Sequence, residues 1–256
     1  MSETSIAGAG VAARLKVRVK PQGLRVTLSS LLSVWRYTRV AFGVYPRECS
    51  LCGFAGYFHA CGMPPRIDSR CPSCNSLERH RLLACFLDQR DMISGSAILH
   101  FAPEASIVAL VELFGPARYV KGDLNPLPGD AKLDIERLEF ADAVFDTIIC
   151  SHVLEHVDDT AALAEMRRVL KPDGHLLLMI PVIEGWAKTY ENPLVVTPED
   201  RTMHYGQFDH VRYYGRDVRN RVRVAGFEIE EWTGSPGFVL RYGLQRGETI
   251  FVCRPA

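Results

Sequence analysis

The stretch AILHFAPEASIVALVELFG (residues 97–115) decides the fold, because a short apolar run passes through the turn APE into a helical run. The same alternation continues along the chain. Later apolar runs are RYVKGDL, AKLDI, FDTIICSHV and HLLLMIP, and the amphipathic stretch DTAALAEMRRVLKPDG lies between the last two. Continuous apolar runs separated by helices are typical of a parallel sheet covered on both faces. The pattern therefore predicts an α/β fold with a doubly wound, mostly parallel sheet.

Two further features of the pattern predict an antiparallel strand and the end of a helix. The C-terminal runs FEIEEW and ETIFVC alternate more clearly between apolar and polar residues, so we expect them to bring one antiparallel strand into the sheet. The helix before HLLLMIP is expected to stop at the turn KPDG (residues 171–174). There Pro172 cannot continue a helix, and Gly174 is expected to adopt the left-handed cap.

Polar residues follow the predicted strands at the points where the strands end. They are His100 and Glu104 after the first strand, Asp123 after the second, Asp134 after the third, and residues 151–156 after the fourth. Ligands of such sheets bind at the carboxyl ends of the strands, where the strand order reverses. Asp123 follows Glu104 at about the 20-residue spacing at which an acid accepts hydrogen bonds from ribose hydroxyls. The strand ends therefore predict a nucleoside-type ligand.

Four of the eight cysteines form two C-x-x-C pairs, Cys49 with Cys52 and Cys71 with Cys74. Two such pairs at this separation predict a closed tetrahedral zinc site with a structural role. His59 and Cys61 lie between the pairs and remain alternative ligands, and four reduced buried thiols are the simpler alternative. A disulfide framework would require secretion, which no convincing signal peptide indicates. The other cysteines are predicted to be core thiols: Cys85, Cys150 and Cys253.

The charge is evenly balanced over the whole chain but not along it. Thirty basic and thirty acidic side chains give a net charge of zero, which argues against coating of nucleic acid by bulk charge. Up to Arg47, however, Glu3 is the single acid in a basic segment. We therefore expect three parts: a basic N-terminal segment (1–45), a zinc module (46–90) and an α/β domain (91–256).

Residues 24–44 are apolar with interspersed arginines and no acids. The longest uncharged run in this segment, VTLSSLLSVW, is too short to span a bilayer. The segment is expected to form an amphipathic helix that packs on its own protein, lies on an anionic membrane or meets a partner. Its composition is also that of an organellar presequence. The expected location is cytoplasmic, with peripheral membrane contact as the alternative.

Five motifs resemble those of the class I S-adenosylmethionine-dependent methyltransferases, in a branch with an HFAPE first loop and an N-terminal four-cysteine zinc module. They are CPSCNSLERHR (71–81), LHFAPE (99–104), FDTIICSHVLEHV (145–157), RVLKPDG (168–174) and GQFDHVRYYG (206–215). The resemblance implies a Rossmann-like domain with a seven-stranded sheet. It also implies S-adenosylmethionine as cofactor, with S-adenosylhomocysteine as the product.

The resemblance also implies a set of cofactor contacts. Asp123 is expected to bind the ribose, Asp134 and Ile135 to flank the adenine, and Ser151 and His152 to line the methionine part. The remaining expected contacts are His100, Phe101, Ala102, Glu104 and Leu124. Ala102 and Glu104 stand where the family commonly has glycines, and Glu104 is expected to pair with the ammonium group of the ligand. We interpret this loop as a variant that still binds the cofactor.

Methyl transfer from a sulfonium requires positioning of donor and acceptor and, for a hydroxyl or amine acceptor, a base within hydrogen-bond reach. The candidates are His152 and His156, after the fourth strand, and an Asp209–His210 pair in which the carboxylate orients the imidazole. Arg212 is expected to supply positive charge to an anionic acceptor. The long polar loop of residues 184–208 is expected to carry the acceptor pocket.

Three functional hypotheses follow. The leading one is O-methylation of a small polar metabolite, a sugar or a glycan precursor. The second keeps the reaction but changes the acceptor to RNA, which the zinc module and basic segment would grip. The third is a non-catalytic scaffold protein with this fold, against which the acids at the strand ends count.

Overall fold

The computed structural model describes residues 26–62 and 64–256, with side chains from Ser33 onward. Most of the predicted basic segment, residues 1–25, lies outside the described residues. The described chain begins with helix α1 (Val26–Ala41), which contacts the second of the two hairpins that follow, at residues 59–70. Its side chains Trp35 and Tyr37 are exposed, and Arg39 lies over the ring of Trp35. None of the helices in the described ranges is long and apolar enough to cross a membrane.

The cysteine-rich part forms two small antiparallel hairpins, followed by a helix. The elements are β1 (Pro46–Glu48), β2 (Ala55–Tyr57), β3 (His59–Cys61), β4 (Arg66–Arg70) and α2 (Glu78–Gln89). Strand β1 pairs with β2, and β3 pairs with β4. Gly53 and Asn75, which follow the two C-x-x-C pairs, have φ angles of 73° and 59°, so each pair ends in a left-handed turn.

The α/β domain begins with alternating strands and helices. Its first elements are β5 (Ala97–Phe101), α3 (Ala105–Leu113), β6 (Arg118–Asp123), β7 (Ala131–Lys132), β8 (Phe145–Ser151), a 3-10 turn (Leu154–His156), α4 (Asp159–Val169) and β9 (Leu170–Met179). The later elements are β10 (Tyr190–Glu191), α5 (Pro198–Tyr205), β11 (Arg212–Tyr213), α6 (Val218–Val224), β12 (Phe227–Thr233), α7 (Pro236–Tyr242) and β13 (Thr249–Pro255).

Seven of these strands form one sheet in the order β12-β13-β9-β8-β5-β6-β7. Its central pairs are parallel, whereas β13 is antiparallel to both β9 and β12. The predicted doubly wound, mostly parallel sheet with an antiparallel strand is therefore confirmed. The chain order reverses between β5 and β8, which run side by side, so their carboxyl ends mark the expected ligand side.

Helix α2 packs into the α/β domain, although the sequence assigned it to the zinc module. Its residues Leu82, Leu83 and Phe86 share a buried cluster with Ile98 of β5 and Leu177 of β9. The cysteine-rich hairpins have a much smaller apolar cluster of their own, centred on Cys49, Phe58 and Cys71. The physical boundary of the module therefore lies before Glu78 rather than at residue 90.

Arg81 of α2 joins the two parts of the chain. Its side chain is completely buried, and its guanidinium donates hydrogen bonds to the backbone oxygens of Ser69 and Ser76 in the module. It also donates to the backbone oxygens of Tyr242 and Gly243 after α7. One buried cation therefore connects the carbonyl groups of three separate segments.

The expected left-handed cap at Gly174 is wrong. Strand β9 starts at Leu170, directly after α4, and Gly174 is not among the residues with positive φ. A Cβ atom at Gly174 would lie 2.9 Å from the backbone oxygen of Asp146. Close approach of two strands, rather than a left-handed turn, therefore requires the glycine.

Candidate cofactor site and acceptor cavity

The loop after β5 leaves the sheet through a residue in the left-handed region. Ala102 has a φ of 47°, and its amide donates to the backbone oxygen of Gly122 in β6 over 2.9 Å. The chain then enters α3 at Ala105, so the positive end of that helix faces the same edge of the sheet. Phe101, the last residue of β5, is buried beneath this turn.

The ends of β6 and β7 place two acids at the neighbouring edge. Asp123 Oδ1 accepts a hydrogen bond from the Asn125 amide at 2.7 Å, and its other oxygen has no partner within the described part of the chain. Asp134 Oδ1 accepts similarly from the Glu136 amide at 2.9 Å. Leu124 is half exposed, whereas Ile135 is buried. Asp123 therefore keeps one carboxylate oxygen available to a ligand.

The end of β8 is held in a strained conformation. His152, next to Ser151, has a φ of 55°, which is uncommon for a residue other than glycine. Its Nδ1 lies 3.2 Å from Glu155 Oε1, and its Nε2 lies 3.7 Å from Glu248 Oε1. Burial alone would lower the pKa of His152, but the two carboxylates outweigh it and raise the pKa to about 9.

His100 does not line the site as the resemblance implied. Only 1% of its surface is exposed, and Nδ1 lies 2.7 Å from the hydroxyl of Tyr119. Burial lowers the pKa of His100 to about 4, so the imidazole is neutral near pH 7. We therefore correct its role from a cofactor contact to a support of the β5–β6 pair.

Glu104 also departs from its expected role. Its carboxylate bonds to Arg79 and lies 2.5 Å from His80 Nε2, so the expected free carboxylate for a ligand ammonium is wrong. Burial raises the pKa of Glu104, but the hydrogen bonds with His80 and Arg79 dominate and lower it to about 2. Glu104 thus ties the first loop to α2, next to the cysteine-rich module.

A cavity of about 720 Å³ opens beyond the ends of β8 and β9. It lies between the α/β domain and the first turn of α2. Most of its lining side chains are polar or charged, and they include Arg66, Glu78, Arg79, His152, Glu155, His156, Glu184, Gln207, His210, Gln245, Arg246, Glu248 and Thr249. Its apolar lining is limited to Ile180, Pro181 and Val182 among the described residues. The loop of residues 184–208 contributes through Glu184 and Gln207.

Two of the catalytic histidine candidates meet in this cavity, but their carboxylate partner differs from the expectation. The rings of His156 and His210 are edge-to-face, with centroids 4.6 Å apart. Asp209 Oδ2 lies 3.3 Å from Nδ1 of His156. His210 Nδ1 is buried without a hydrogen-bond partner in the described chain. The expected Asp209–His210 pair is therefore corrected to Asp209–His156.

Arg212 lies behind the cavity rather than in it. Its side chain is 10% exposed and donates to the backbone oxygens of Leu154 and Val157, and to Glu191. The expectation that Arg212 offers its charge to an anionic acceptor is therefore wrong. Its guanidinium instead holds the 3-10 turn that carries His156.

The four predicted cysteines lie together. All four sulfur atoms are within 4.8 Å of one another, with Cys49 Sγ 3.6 Å from Cys74 Sγ and Cys52 Sγ 3.8 Å from Cys71 Sγ. Tetrahedral zinc with bonds of about 2.3 Å to sulfur sets its ligands roughly 3.8 Å apart. The cluster therefore fits a zinc ion. His59 and Cys61 do not belong to it, and Cys85, Cys150 and Cys253 are buried as expected.

The family comparison agrees with this architecture. Residues 94–178, which include β5 to β9 and the strand-end acids, match the family described as "Methyltransferase domain". Over these residues the chain is similar to methyltransferase domains, and we call its α/β domain the methyltransferase domain. The PH0226 protein of Pyrococcus horikoshii OT3 has the same fold, with a TM-score of 0.50 at 17% identity over 70% of this chain and 90% of that one.

Two curated relatives share the methyltransferase domain. The uncharacterized protein YafE of Escherichia coli K12 is 34% identical over 103 residues, which are 38% of this chain and 47% of YafE. The ubiquinone/menaquinone biosynthesis C-methyltransferase UbiE of Klebsiella pneumoniae is 30% identical over 152 residues, or 54% of this chain and 55% of UbiE. The chain thus spans about half the length of these relatives.

Six charged residues of the cavity were absent from the predicted site and from the predicted loop: Arg66, Glu78, Arg79, Glu155, Arg246 and Glu248. A sequence signal for Glu155 was available, since it is a carboxylate between His152 and His156 in the run SHVLEHV. No comparable sequence signal marked Arg246 and Glu248. They reach the cavity because β13 runs antiparallel to β9, which brings its start beside the carboxyl end of β9.

Proposed function

We propose that the protein is an S-adenosylmethionine-dependent methyltransferase that methylates a hydroxyl group of a small polar acceptor. The observation that carries the proposal is the cavity beyond β8 and β9, which adjoins the cofactor edge of a methyltransferase domain and is lined mainly by polar side chains. Its volume of about 720 Å³ is within the range of small-molecule sites.

The residues divide between cofactor and acceptor. In this proposal Asp123 accepts hydrogen bonds from the ribose through its unpartnered carboxylate oxygen, and Asp134 and Ile135 flank the adenine. S-Adenosylmethionine supplies an electrophilic methyl group when bound. A hydroxyl acceptor must lose its proton as the new bond forms, and His156 and His210 are the groups in the cavity that assist this step.

The cavity also favours a polar acceptor over an aromatic one. Arginine and glutamate side chains surround it, and it lacks phenylalanine, tyrosine and tryptophan among the residues described. Charged side chains form hydrogen bonds with hydroxyl, carboxylate or phosphate groups. A large apolar ring would displace water from these side chains without replacing its hydrogen bonds. This lining separates the proposed acceptor from the quinone precursors that the name of UbiE indicates.

Cofactor binding is tested first, by calorimetric titration of the full chain with S-adenosylhomocysteine. We expect saturable binding, weakened at least tenfold in Asp123→Ala because the ribose loses its acceptor. Asp173→Ala is the matched control, since this exposed acid lies near the start of β9, at the opposite edge of the sheet. Absence of binding heat with both cofactor forms would remove the proposal.

Transfer is tested next with S-adenosylmethionine carrying a labelled methyl group. Sugars and other polyhydroxylated metabolites are the expected acceptors. Label that appears only in RNA would favour the second hypothesis, in which the zinc module binds nucleic acid. Saturable cofactor binding without transfer to any acceptor would favour the scaffold hypothesis.

We further propose that Cys49, Cys52, Cys71 and Cys74 hold a structural zinc ion. The sulfur spacing supports this, because it matches tetrahedral coordination and leaves no position for a substrate. The apolar cluster of the hairpins is small, so metal binding would contribute much of their folding free energy.

A further inference from the structure

A second group of potential metal ligands lies in the acceptor cavity. One ligand atom from each of Glu155, His156 and His210 falls within 4.8 Å of the other two. Glu155 and His156 are adjacent on the 3-10 turn after β8, whereas His210 comes from the segment before β11. The sheet therefore brings together residues that are far apart in the chain.

The carboxylate of this group is buried without ordinary partners. The Glu155 side chain is 1% exposed, and neither of its oxygens has a hydrogen-bond partner among residues 26–62 and 64–256. His152 Nδ1 lies within ion-pair distance of Oε1 but outside hydrogen-bond geometry. Burying a carboxylate is costly unless donors or a cation compensate its charge. The imidazole of His152 compensates the charge at Oε1, so Oε2 is the oxygen that remains buried without a donor and is open to a bound cation.

The two histidines fit the same interpretation. His210 Nδ1 is buried and has no hydrogen-bond partner within the described ranges. His156 has a ring nitrogen 3.3 Å from Asp209 Oδ2. A carboxylate beside one nitrogen of a ligating histidine is common in metal sites, because it fixes the ring and its tautomer and leaves the other nitrogen for the ion.

We propose that Glu155, His156 and His210 bind one divalent transition-metal ion at the wall of the acceptor cavity. Two imidazoles and one carboxylate are a donor set for ions such as Mn²⁺, Fe²⁺, Co²⁺ or Zn²⁺. Three protein ligands leave coordination positions open, and here the ligands line a cavity large enough for a small acceptor.

The consequence for chemistry rests on the proposed methyl transfer. With the ion bound, His156 and His210 are ligands and no longer proton acceptors. A hydroxyl oxygen bound to the ion has a lowered pKa, so its O–H bond breaks more readily and the proton passes to solvent in the cavity. The oxygen lone pair forms the new O–CH₃ bond while the CH₃–S bond breaks. That bonding pair stays on sulfur, which changes from a sulfonium to a neutral thioether. Metal binding itself requires none of these steps.

The test titrates Mn²⁺ into the full chain with its cysteine site loaded with zinc, and follows free Mn²⁺ by electron paramagnetic resonance. Mn²⁺ is chosen because it competes poorly for thiolates. We expect one bound Mn²⁺ per chain, and an affinity at least tenfold weaker in Glu155→Gln and in His210→Gln. His204→Gln is the matched control, since this exposed histidine lies six positions earlier and pairs with Tyr190 outside the cluster.

Two outcomes would overturn the proposal: no saturable Mn²⁺ binding by the unaltered chain, or equal binding by the control and both cluster variants. Circular dichroism shows whether Glu155→Gln or His210→Gln fails to fold. If one of them does, the Mn²⁺ affinity of the other variant tests the proposal. S-Adenosylhomocysteine binding is measured on the same samples. Mn²⁺ binding without cofactor binding would defeat the proposed function alone, and the converse would defeat the metal site alone.

Discussion

The described residues include two compact groups of potential metal ligands, and the two differ in almost every respect except size. In both, the ligand atoms lie within 4.8 Å of one another. The cysteine group comes from two neighbouring turns and is closed by its own four sulfur atoms. The Glu155, His156 and His210 group comes from two distant segments and borders a cavity. Ligands that lie close together in the sequence are therefore consistent with a site that stabilises the fold. Ligands that come from distant segments and border a cavity are consistent with a site that contacts a substrate.

The surroundings of the two groups reinforce this difference. The cysteine group lies in hairpins whose apolar cluster is small, so we expect their stability to depend on the proposed zinc ion. The Glu155 group rests on the large core of the methyltransferase domain, since Leu154 of its turn is completely buried there. Loss of the first group should therefore unfold structure, whereas loss of the second should change ligand affinity alone.

The largest effect is expected for Cys71→Ser. Structural zinc sites in small modules contribute roughly 10–16 kcal/mol of apparent binding free energy, so the hairpins should unfold when one ligand is lost. We expect the chain to lose one equivalent of bound zinc, that of the cysteine site, with rapid proteolysis between residues 46 and 76. Cys61→Ser is the control, because Cys61 lies in the same hairpins outside the cluster. Retained zinc in Cys71→Ser would contradict a four-cysteine site.

Arg81→Met tests whether the cysteine module is energetically separate from the methyltransferase domain. The substitution removes the guanidinium donor from the backbone oxygens of Ser69, Tyr242 and Gly243, and from that of Ser76, which still accepts from the Cys71 amide. Breaking such a buried charged network costs about 3–5 kcal/mol. We expect urea unfolding to show that loss, and Arg90→Met, just after the end of α2, to stay within about 1 kcal/mol. Equal stabilities would mean that the two parts are independent.

The next prediction concerns His100→Gln. His100 is buried with the Tyr119 hydroxyl as its partner, unlike the buried Glu155 oxygens and His210 Nδ1 of the cavity, which have no hydrogen-bond partner in the described chain. Burial lowers the pKa of folded His100 to about 4, with Glu104 and Asp130 opposing that shift and His80 and Lys121 adding to it. The unfolded chain takes up this proton near pH 6.5, well before the folded one. The stabilising contribution is therefore complete above pH 6.5 and is lost as the pH falls towards 4, by roughly 3 kcal/mol.

Urea midpoints measured from pH 7 to pH 4 check this prediction. We expect the unaltered chain to lose more stability over that range than His100→Gln, in which glutamine keeps a hydrogen bond to Tyr119 without gaining charge. His204→Gln, at an exposed site, should follow the unaltered chain. Acid release of zinc affects all three proteins alike, so it does not alter the comparison. Parallel curves for all three would contradict a neutral buried His100.

The sequence predicted the sheet, its antiparallel strand and the cysteine cluster because each depends on local patterns. Apolar runs specify buried strands, and C-x-x-C spacing aims two thiolates at one point whatever the rest of the chain does. It also predicted that polar residues would gather at the strand ends, since parallel strands share an edge. Asp123, at the end of β6, and His152, directly after β8, are two such residues.

The partners of the polar side chains were not predictable in this way. Glu104 contacts Arg79 and His80 only because α2 packs beside the loop after β5. The Arg212 guanidinium donates to a backbone carbonyl group of a turn that is distant in the sequence. A titratable residue at a strand end looks the same in sequence whether it faces a ligand or a buried neighbour. Tertiary packing decides, which is why Glu155 was missed and Arg212 was assigned wrongly.

The smallest effect, and the sharpest test of the difference between the two groups, is expected for Asp209→Asn. Asp209 is not itself in the ligand group but lies 3.3 Å from a ring nitrogen of His156. Loss of such an orienting carboxylate typically weakens metal binding by about 10–100-fold, and the amide keeps the size of the side chain. We therefore expect Mn²⁺ affinity to fall within that range while zinc content and the urea midpoint stay unchanged. Asp200→Asn, on the exposed first turn of α5, is the control. A fall in zinc content together with Mn²⁺ affinity would show that the closed and open groups are coupled, which their separate positions in the fold argue against.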